Sequence, residues 1–506
     1  MNNGKICIAV CAETASEFLE RVEMAKPIGD LVELRFDCLQ ADQVPIVREW
    51  IRGNEGGGCF ITTFRSSEQD GVRCLTLEER KQFWRDSFEN GIVDVEEDLV
   101  DDIASLRSSV RICSFHDFNG VPADINEIFQ RLSATNADVQ KIAVKANDAV
   151  DGIPVWDLIG PAKARNKEII PIAMGEAGKW TRILGLAHGA YLTYAALESG
   201  DETAPGQITA NDMIDVYRVK ELDEQTEVYG IIAGDTSYTM SPCIHNAAFK
   251  AADRNAVFVP FQVTDLDAFM ARMVQPKTRE VELSFRGFSV TNPHKRSIIK
   301  YLDKIDDAAK TIGAVNTIKI VDGKLNGYST DTDGFIKPLK AKFPVLNGAN
   351  VAVIGAGGAA RACVYALTKE NAAVTVYARN VDKARELVDA FEIDNKQLTA
   401  ETYQPSANYS DFDIVVNTTP VGTQGKSQDA SAATAEHLKG VRLIYDLIYN
   451  PAETQLLREA KAAGAETLGG FDMLLSQAAK QFEIWTGQDA PVETMAVAAR
   501  KKLNDG

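Results

Sequence analysis

Val351-Ala-Val-Ile-Gly-Ala-Gly-Gly-Ala-Ala-Arg361 organises the second half of the chain, because it reads as a buried strand, a glycine turn and the start of a helix. In this pattern Gly355 permits the tight turn, Gly357 lets the backbone approach a pyrophosphate, and Ala360 lets the helix pack closely on the strand. The free N–H groups at the helix start then face the phosphates. The stretch predicts a dinucleotide-binding turn made of Gly355, Ala356, Gly357, Gly358 and Ala359.

The end of the next strand distinguishes between two dinucleotides. Residues 373–378 form a second predicted strand, and an NAD site places an acidic residue at its end to hold the ribose 2′-hydroxyl. This chain has Arg379, Asn380 and Lys383 there instead. A planar guanidinium with an ammonium behind it suits a 2′-phosphate, which favours NADP over NAD. A solvated arginine at a strand end is the alternative.

Length and composition set the class of protein. A chain of 506 residues has room for two to four domains, and 45% hydrophobic with 25% charged residues is typical of globular proteins. The net charge of −18 argues against a nucleic-acid partner, which would require a basic face. No run approaches the ~18 apolar residues of a membrane span. We expect small-molecule partners, and the oligomeric state stays open.

Cysteines and the N-terminal composition indicate a location. The eight cysteines are scattered, with no C-x-x-C and no histidine at metal-ligand spacing, which predicts reduced core thiols and no metal site. The first residues show neither a signal-peptide nor a transit-peptide composition. We therefore expect a cytoplasmic protein.

Eight apolar, β-rich runs recur in the first two hundred residues at intervals too long for hairpins. Stretches with helical periodicity, such as residues 76–84, lie between most of them. Eight strands alternating with helices in roughly 220 residues predict an α/β fold, a small (β/α)₈ barrel. A doubly wound open sheet is the alternative. The predicted strands are residues 5–11, 31–37, 59–65, 92–96, 110–116, 139–146, 169–174 and 189–195.

Charge alternates with apolar residues along several of these strands. In residues 32–37 the charged side chains Glu33, Arg35 and Asp37 share one face. A parallel strand covered by helices should be apolar on both faces. Asp94 and Glu96 repeat the pattern. In a barrel such charge would enter the lumen and indicate a polar active site, whereas a half-exposed antiparallel strand is the other interpretation.

Two residues of the predicted barrel could carry covalent or proton chemistry. Lys141 would lie inside the barrel, where desolvation and neighbouring cations favour the neutral amine, a nucleophile toward ketones. Lys145 is a competitor for this role. His116 lies at the carboxyl end of a strand, which is the catalytic rim of barrels. A lysine reaching solvent from a strand and a structural histidine are the alternatives.

Six motifs in this region resemble those of type I 3-dehydroquinate dehydratase, in order, over about residues 5–215. They are Glu33-Leu-Arg35-Phe-Asp37, Thr63-Phe-Arg65-Ser66, Ser114-Phe-His116-Asp, Lys141-Ile-Ala143, Gly175 with Thr181-Arg182-Ile-Leu-Gly185, and Ala204-Pro205-Gly206-Gln207.

The resemblance implies a role for each matched residue. Lys141 would form a Schiff base with the substrate ketone, and His116 would remove the adjacent proton and return it to the leaving hydroxyl. Arg182 and Gln207 would hold the substrate carboxylate and hydroxyls, and the remaining polar shell would be Glu33, Arg35 and Arg65. The chain departs from the family at Thr203, a serine in most members, and at Glu68-Gln69-Asp70-Gly71, which replaces the usual acid and glycine.

The second half has polar clusters at the ends of short predicted strands. These strands are residues 228–232, 256–261, 288–290, 314–320 and 324–328, and a helix is predicted from Ile244. A short, helical connection is predicted for residues 208–225. Lys295 and Asp331 are the pair best suited to pass a proton to a substrate oxygen while hydride moves on the adjacent carbon. A structural salt bridge is the alternative.

This half resembles shikimate dehydrogenase over about residues 227–500. The matched stretches are Thr239-Met-Ser241-Pro-Cys-Ile-His-Asn246, Val290-Thr291-Asn-Pro-His-Lys295, Gly313-Ala-Val-Asn316-Thr317, Ser329-Thr330-Asp331-Thr-Asp-Gly334, Gly355-Ala-Gly-Gly-Ala-Ala-Arg361, Asn417-Thr-Thr-Pro-Val-Gly422, Tyr445-Asp-Leu-Ile-Tyr449-Asn-Pro and Gln477-Ala-Ala-Lys-Gln481-Phe-Glu. The resemblance implies a catalytic Lys295–Asp331 pair. It also implies substrate contacts from Thr239, Ser241, Thr291, Asn316, Thr330, Tyr449, Gln477 and Gln481.

A dehydratase followed by a dehydrogenase resembles the fused enzymes of the shikimate pathway. The resemblance implies dehydration of 3-dehydroquinate, then reduction of 3-dehydroshikimate to shikimate by NADPH. It places a barrel at residues 1–222, a shikimate-dehydrogenase-like substrate domain at 223–340 completed by 456–506, and a Rossmann NADP domain at 341–455. A quinate dehydrogenase using NAD and a sensor of pathway acids are the alternatives.

Overall fold

The computed structural model describes residues 4–53, 59–85, 91–100, 108–391, 397–425 and 427–504. Two compact units divide the chain, Met1–Pro242 with Asn255–Phe285 and Cys243–Arg254 with Arg286–Gly506. This division runs through the predicted substrate domain, so the domain boundaries expected from the sequence stay predictions. None of the helices in the described ranges is long and apolar enough to cross a membrane.

The first unit begins with a nearly closed parallel barrel, which confirms the predicted fold class and excludes the open doubly wound sheet. β1 pairs with both β2 and β8, and the Tyr191 N–H donates to the Ile169 carbonyl over 2.8 Å, which brings the segment before β8 against β7. The strands are β1 (Ile6–Val10), β2 (Leu31–Arg35), β3 (Phe60–Thr63), β4 (Ile92–Glu96), β5 (Val110–Asp117), β6 (Val139–Lys145), β7 (Glu168–Met174) and β8 (Thr193–Ala195).

Helices follow most of these strands. Thr76 and Glu79 form reciprocal side-chain to backbone bonds around the start of the third helix, close to the predicted range 76–84. The helices are α1 (Ala15–Ala25), α2 (Val44–Gly53), α3 (Leu77–Arg85), α4 (Ile125–Ala134), α5 (Ile153–Trp156), α6 (Ile159–Ala164) and α7 (Lys179–His188). Short 3₁₀ turns include Ala41–Gln43, Ser67–Gln69, Ala149–Gly152 and Glu176–Gly178.

The eighth predicted strand begins too early in the sequence-based interpretation. Residues 189–192 are not strand, because Gly189 ends α7 in the left-handed conformation with φ of 110°. A glycine in that conformation caps the helix and reverses the chain before β8 can start. Only Thr193–Ala195 pair with β1.

The lumen of the barrel has an apolar end and a charged end. An apolar cluster contains Leu31, Ile92 and Val139, each of which begins or lies near the start of its strand. Residues two positions apart on a strand share a face. The next lumen positions are therefore Glu33, Asp94 and Lys141, all buried. Packing at one end thus supports a charged site toward the carboxyl ends.

The cysteine prediction is wrong for one pair. Cys11 and Cys38 form a disulfide with their Cα atoms 5.4 Å apart. Cys11 follows β1 and Cys38 follows β2, and because these strands are paired neighbours, their ends lie close together. Among the remaining cysteines Cys74 is exposed and Cys59 half-buried, so they are not core residues either, whereas Cys7, Cys113, Cys243 and Cys363 are buried thiols outside any disulfide.

The connection after the barrel contains a single helical turn, Asp212–Val216, in line with the short helical link expected there. A second tie lies within the first unit. The buried carboxylate of Asp148 accepts hydrogen bonds from the backbone and hydroxyl of Thr264, both at 2.6 Å, and from the Asp265 N–H at 2.9 Å. The barrel loop after β6 is therefore bonded directly to residues 264–265.

Beyond the barrel, the first unit contains β9 (Glu227–Ala233) and β10 (Ala256–Gln262), which pair in parallel, and α9 (Leu266–Phe269). The helix predicted from Ile244 starts earlier, as α8 (Ser241–Ala251). A second short turn, Met270–Val274, follows α9.

The second unit starts with a small mixed arrangement of strands. β11 (Phe285–Val290) pairs antiparallel with β13 (Thr317–Val321), which forms a hairpin with β14 (Lys324–Tyr328). β12 (Lys304–Ile305) adds to β14 in parallel. Residues 314–316, expected to be strand, precede β13. The helices are α10 (Asp307–Ile312) and α11 (Asp331–Lys342), with a 3₁₀ turn at Ser297–Tyr301.

A six-stranded parallel sheet carries the dinucleotide motif, as predicted. Its order is β17-β16-β15-β18-β19-β20, so the chain reverses direction across the sheet next to β15, at the carboxyl edge where such sheets bind ligands. The strands are β15 (Asn350–Ile354), β16 (Ala373–Ala378), β17 (Leu398–Thr402), β18 (Ile414–Asn417), β19 (Leu443–Asp446) and β20 (Glu466–Leu468). The helices are α12 (Gly358–Lys369), α13 (Val381–Asp389), α14 (Gln455–Ala462), α15 (Gly470–Thr486) and α16 (Val492–Asn504).

Candidate active sites

Lys141 lies at the centre of the charged end of the barrel. Its Nζ is 2.8 Å from Asp94 Oδ2 and 3.5 Å from Glu33 Oε1, and it lies 3.9 Å from the centre of the Tyr194 ring. Only 6% of the side chain is exposed. The ammonium is therefore desolvated, and its charge is compensated by carboxylates that reach across the lumen from β2 and β4.

Asp94 is a residue that the sequence analysis placed on the lumen face but gave no role. Its carboxylate joins Lys141 to Arg65, whose Nη2 donates over 3.0 Å. Burial disfavours a charged Asp94, but Arg65 and Lys141 outweigh it and hold the pKa of this carboxyl below its usual range. The alternation of charge along β4 was the signal for this role.

The arginines of the predicted polar shell are held by carboxylates of the protein itself. Arg35 makes a two-pronged contact with Asp37, at 2.9 and 2.8 Å. Arg65 also donates to Ser114 and lies 3.6 Å from Glu96. Both guanidiniums are thereby fixed in orientation at the rim of the site.

His116 lies near the end of β5, where it pairs with Ala143 of β6, and its ring contacts Gln69. Its Nδ1 and its backbone N are 2.9 and 3.0 Å from the Gln69 side-chain oxygen. Burial, followed by the charges of Arg65 and Lys141, lowers the pKa of His116 well below its usual range, although Asp94 opposes them. The ring is therefore a neutral base at ordinary pH. Gln69 is a second residue without a role in the sequence analysis.

Arg182 differs from the other arginines because much of its guanidinium is unused. The residue is 2% exposed, and its Nε and Nη1 have no hydrogen-bond partner in the part of the chain that the structure describes. Burial lowers the pKa of Arg182 to about 10, which still leaves a cation at neutral pH. A buried cation with free donors is suited to binding a carboxylate. Nearby, Gln207 and Thr203 exchange hydrogen bonds.

All eight barrel residues predicted from the sequence border a single cleft of about 440 Å³. The cleft thus combines a buried amine, a neutral imidazole and an unpaired guanidinium, which is the equipment for imine chemistry on a keto acid. The predicted residues that line it are Glu33, Arg35, Arg65, His116, Lys141, Arg182, Thr203 and Gln207; Gln69, Asp70 and Tyr194 also contribute.

The second site is built around Lys295 and Asp331. Lys295 follows β11, Asp331 begins α11, and their Nζ and Oδ2 atoms are 2.5 Å apart. Asn316 donates to the other oxygen of Asp331 over 2.8 Å and to Thr330 Oγ1 over 2.9 Å. The side chains of the pair are 22% and 13% exposed, so both groups can meet a ligand.

Gln481 is linked to this pair through Asn316. Its Nε2 donates to Thr317 Oγ1 and to the Asn316 carbonyl, while its oxygen accepts from Ser289. The residue is 2% exposed. Gln481 thus positions Asn316, and its predicted direct contact with substrate stays a prediction.

The other predicted contacts lie in separate surroundings. Gln477, on α15 one turn before Gln481, donates to the Leu474 carbonyl. Thr291 follows β11, and its backbone carbonyl accepts from the His294 N–H. Tyr449 is half-buried after β19. In the first unit, the Ser241 N–H at the start of α8 donates to Thr239 Oγ1. Their roles toward substrate also stay predictions.

The glycine turn after β15 has the shape that a dinucleotide needs. Gly355 has φ of 117°, and a Cβ there would lie 2.3 Å from Thr418 Oγ1, so no larger residue fits. Gly358 and Ala359 form the first turn of α12, whose free N–H groups suit phosphates. A Cβ on Gly358 would lie 3.8 Å from Lys295 Cδ. The turn therefore lies next to the Lys295–Asp331 pair.

The turn opens into a cleft of about 1060 Å³. Arg379 and Lys383 are exposed at its edge, and Asn380 caps α13 through its side-chain oxygen. Two cations beside the glycine turn fit a dinucleotide with an additional phosphate. The sequence analysis missed some lining residues that follow neighbouring strands, although Asn417-Thr-Thr-Pro-Val-Gly422 was among its matched stretches. The cleft residues are Gly355, Ala356, Gly357, Arg379, Asn380, Lys383, Tyr403, Thr418, Thr419 and Pro420, among others.

The two sites define the class of protein as a chain with two catalytic centres: an imine-forming barrel lyase and an NADP-dependent dehydrogenase. Four family models match in the same order. They are Type I 3-dehydroquinase over residues 6–224, Shikimate dehydrogenase substrate binding domain over 231–318, Shikimate / quinate 5-dehydrogenase over 338–450, and Shikimate 5'-dehydrogenase C-terminal domain over 470–500.

Similarity to individual proteins extends over the whole chain. A chloroplastic bifunctional 3-dehydroquinate dehydratase/shikimate dehydrogenase of Arabidopsis thaliana is 33% identical, over 97% of this chain and 83% of that protein. The chain belongs to this bifunctional family. A shikimate dehydrogenase (NADP(+)) of Methanococcus maripaludis is 37% identical over 56% of this chain and 99% of its own length.

The second half of the chain is similar to a solved structure. The crystal structure of a shikimate dehydrogenase in complex with NADP+ is 36% identical, covers 56% of this chain and 97% of its own, and has a TM-score of 0.51.

Proposed function

We propose that Lys141 and His116 dehydrate 3-dehydroquinate in the barrel, and that Lys295 and Asp331 serve the NADPH-dependent reduction of 3-dehydroshikimate to shikimate. The chain is a shikimate-pathway enzyme with both activities. The observation that supports the residue roles best is the buried Lys141 amine in one cleft with neutral His116 and the unpaired Arg182 guanidinium.

In the barrel, the Lys141 ammonium first gives up a proton to water in the cleft, and the free amine then attacks the substrate ketone, with loss of water to give an imine. Asp94 and Glu33 compensate the positive charge that the imine then carries. His116 takes the proton from the adjacent carbon and returns it to the departing hydroxyl. Hydrolysis of the imine releases the product and restores the lysine.

Arg182 orients the substrate in this reaction. Its free Nε–H and Nη1–H groups are the donors available for the carboxylate, while Gln207 and Thr203 serve the hydroxyls. When Arg182 holds the substrate carboxylate, the ketone is held within reach of Lys141. The bimolecular attack then becomes effectively unimolecular.

In the second site, NADPH would supply the hydride when bound. Lys295 donates a proton to the carbonyl oxygen as it becomes the alcohol, and Asp331 keeps the ammonium in position. Asn316 fixes the other oxygen of Asp331. The cofactor would lie on Gly355, Ala356, Gly357, Gly358 and Ala359, with its 2′-phosphate near Arg379, Asn380 and Lys383.

The proposal includes the three domains, with the barrel at residues 1–222, the substrate domain at 223–340 with 456–506, and the NADP domain at 341–455. It also includes a cytoplasmic location, based on the composition of the chain. The Cys11–Cys38 bond argues in the other direction, since disulfides are rare in the reduced cytosol. Cell fractionation tests this part.

Borohydride trapping tests the proposed nucleophile. The protein is incubated with 3-dehydroquinate and borohydride without NADPH, and the adduct is mapped by peptide mass spectrometry. We expect a reduced adduct on Lys141, lost in Lys141→Ala and retained in Lys145→Ala, because Lys145 is exposed on the same strand. An adduct on Lys145 would assign the nucleophile there. No adduct, with reduction of 3-dehydroshikimate intact, would overturn the dehydratase mechanism.

A further inference from the structure

The disulfide between Cys11 and Cys38 lies on the catalytic side of the barrel. Cys11 directly follows β1, and Cys38 comes shortly after the end of β2, so the bond joins the carboxyl ends of two neighbouring strands. Active sites of such barrels lie at this end. Arg35, the last residue of β2, borders the cleft. The proposed function assigns no task to this bond, although it lies close to the site.

Asp37 connects the disulfide to the cleft. It directly precedes Cys38, is fully buried, and accepts two hydrogen bonds from the Arg35 guanidinium, at 2.9 and 2.8 Å. The same carboxylate accepts from the backbone N–H groups of Arg65 and Val72, each over 3.2 Å. One carboxylate therefore fixes the guanidinium of Arg35 and the backbone at Arg65, the two arginines of the proposed polar shell.

The disulfide is the covalent link between the segment that carries Asp37 and β1. Hydrogen bonds between the same two loops lie farther along the chain. The Gln40 N–H donates to the Glu13 carbonyl over 3.0 Å, and the Ala15 N–H donates to Gln43 Oε1 over 3.2 Å. Opening the disulfide would thus release the residue next to Asp37 from β1, while these hydrogen bonds keep the two loops together.

Exposure and cellular location both favour exchange of this bond. Cys11 is half-buried, whereas Cys38 is 5% exposed, so a reductant can approach the bond from the Cys11 side. Disulfides in a reducing compartment are usually transient and either catalytic or redox-sensing. In the cytoplasmic location proposed above, the bond would therefore be an exchangeable one and not a permanent structural link.

We propose that Cys11–Cys38 is a redox switch of the barrel: the disulfide form is the active dehydratase, and a dithiol reductant opens it. This inference rests on the proposed dehydratase function. One thiolate of the reductant attacks a sulfur of the disulfide, which breaks the Cys11–Cys38 bond and gives a mixed disulfide. The second thiol of the reductant then displaces the protein sulfur. Two cysteine thiols form, and the dithiol becomes a disulfide.

The effect on the barrel follows from Asp37, which acts as a positioning residue. When Cys38 is no longer bonded to β1, Asp37 and the Arg35 guanidinium that it holds can shift. Displacement of a positioned group by about 1 Å can cost about 100-fold in rate, so kcat/KM for 3-dehydroquinate should fall about 10- to 100-fold. Lys295 and Asp331 belong to the other compact unit, so reduction of 3-dehydroshikimate should be unaffected.

The test treats the full chain with dithiothreitol and assays both half-reactions. Alkylation after denaturation, followed by mass spectrometry, counts the thiols, which should rise from six to eight on reduction. We expect the dehydratase rate to fall as the thiols appear and to return after treatment with oxidised glutathione. Circular dichroism checks that both forms are folded; loss of folded structure together with the rate would make the bond purely structural and overturn the inference.

Variants separate this bond from the other thiols. Cys11→Ser and Cys38→Ser should have the low dehydratase rate before any reductant is added, and dithiothreitol should not change it further. Cys74→Ser is the matched control, because Cys74 is an exposed thiol in the loop after β3 and takes no part in the bond. It should respond to dithiothreitol as the wild type does. An unchanged or higher dehydratase rate in the fully reduced wild type would refute the switch, and so would eight thiols after treatment with oxidised glutathione.

Hydrogen exchange gives a readout that does not depend on activity. The amides of Arg65 and Val72 both bond to Asp37, so peptides that contain them should exchange faster after reduction of the wild type. Cys11→Ser should show the faster exchange without reductant. Equal exchange in the oxidised and reduced wild type would contradict the inference. Faster exchange on reduction, with neither dehydratase activity nor a borohydride adduct in the oxidised form, would refute only the proposed dehydratase function.

Discussion

The two lysines that we propose to be catalytic occupy contrasting surroundings. Lys141 is 6% exposed and lies among two carboxylates and an aromatic ring, whereas Lys295 is 22% exposed and pairs with a single carboxylate. A lysine that forms a covalent bond benefits from a site that excludes water, because water competes for the imine. A lysine that only transfers a proton must regain it from solvent. Exposure therefore separates the two kinds of lysine chemistry.

Replacing each of the two lysines in turn, and assaying both half-reactions in each variant, gives the largest expected effect. Lys141→Ala should reduce dehydration of 3-dehydroquinate by about four orders of magnitude or more and leave reduction of 3-dehydroshikimate unchanged, because covalent catalysis has no substitute. Lys295→Ala should reduce the NADPH-dependent step by about 10²- to 10⁴-fold and spare the barrel. Separate assays of each half-reaction measure both. Loss of both activities in either variant would contradict the independence of the sites.

Arg182 tests whether the buried guanidinium is reserved for the substrate. Arg182→Gln should raise KM for 3-dehydroquinate about 10- to 100-fold, since a hydrogen bond to a charged group contributes about 1.5–3 kcal/mol. The surface substitution Arg131→Gln is the control, because that guanidinium is half-exposed and paired with Glu97. Steady-state kinetics measure KM. An unchanged KM in Arg182→Gln would remove Arg182 from the substrate site.

Substitution of Arg379 is expected to have the smallest effect, because this side chain is exposed and water screens its charge from the phosphate. Arg379→Gln should raise KM for NADPH about tenfold and leave KM for NADH nearly the same, since only NADPH carries the 2′-phosphate. Arg385→Gln, on the outer part of α13 and 63% exposed, is the matched control. Equal losses for both cofactors would show that Arg379 does not read the phosphate.

The barrel site could be predicted from the sequence to a considerable extent, because alternation with period two places a side chain on the lumen whatever its partners are. The pattern placed Glu33, Asp94 and Lys141 on one surface before any contact was known. It could not show that Asp94 lies between Lys141 and Arg65, because that contact joins three strands and depends on rotamers. The contact of Gln69 with His116 depends on a tight turn that composition does not encode.

Local signals predicted the elements better than their ends. The predicted strand at residues 373–378 matches β16. The predicted start of β8 was wrong because Gly189 is the C-cap of the preceding helix and not part of a strand. The disulfide was missed for a similar reason. Cys11 and Cys38 are 27 residues apart and become neighbours only when β1 and β2 pair. Such contacts across strands require the fold.

The bond between Asp148 and residues 264–265 bears on whether the chain could be divided into two separate proteins. If the chain were separated after residue 222, the barrel fragment would retain a carboxylate shaped to receive three donors, and the other fragment would retain donors without their acceptor. Both fragments of a divided chain would therefore be destabilised by polar groups that have lost their partners. Division of the chain would therefore require changes of sequence on both sides of the cut, and not only removal of the connection between the two halves.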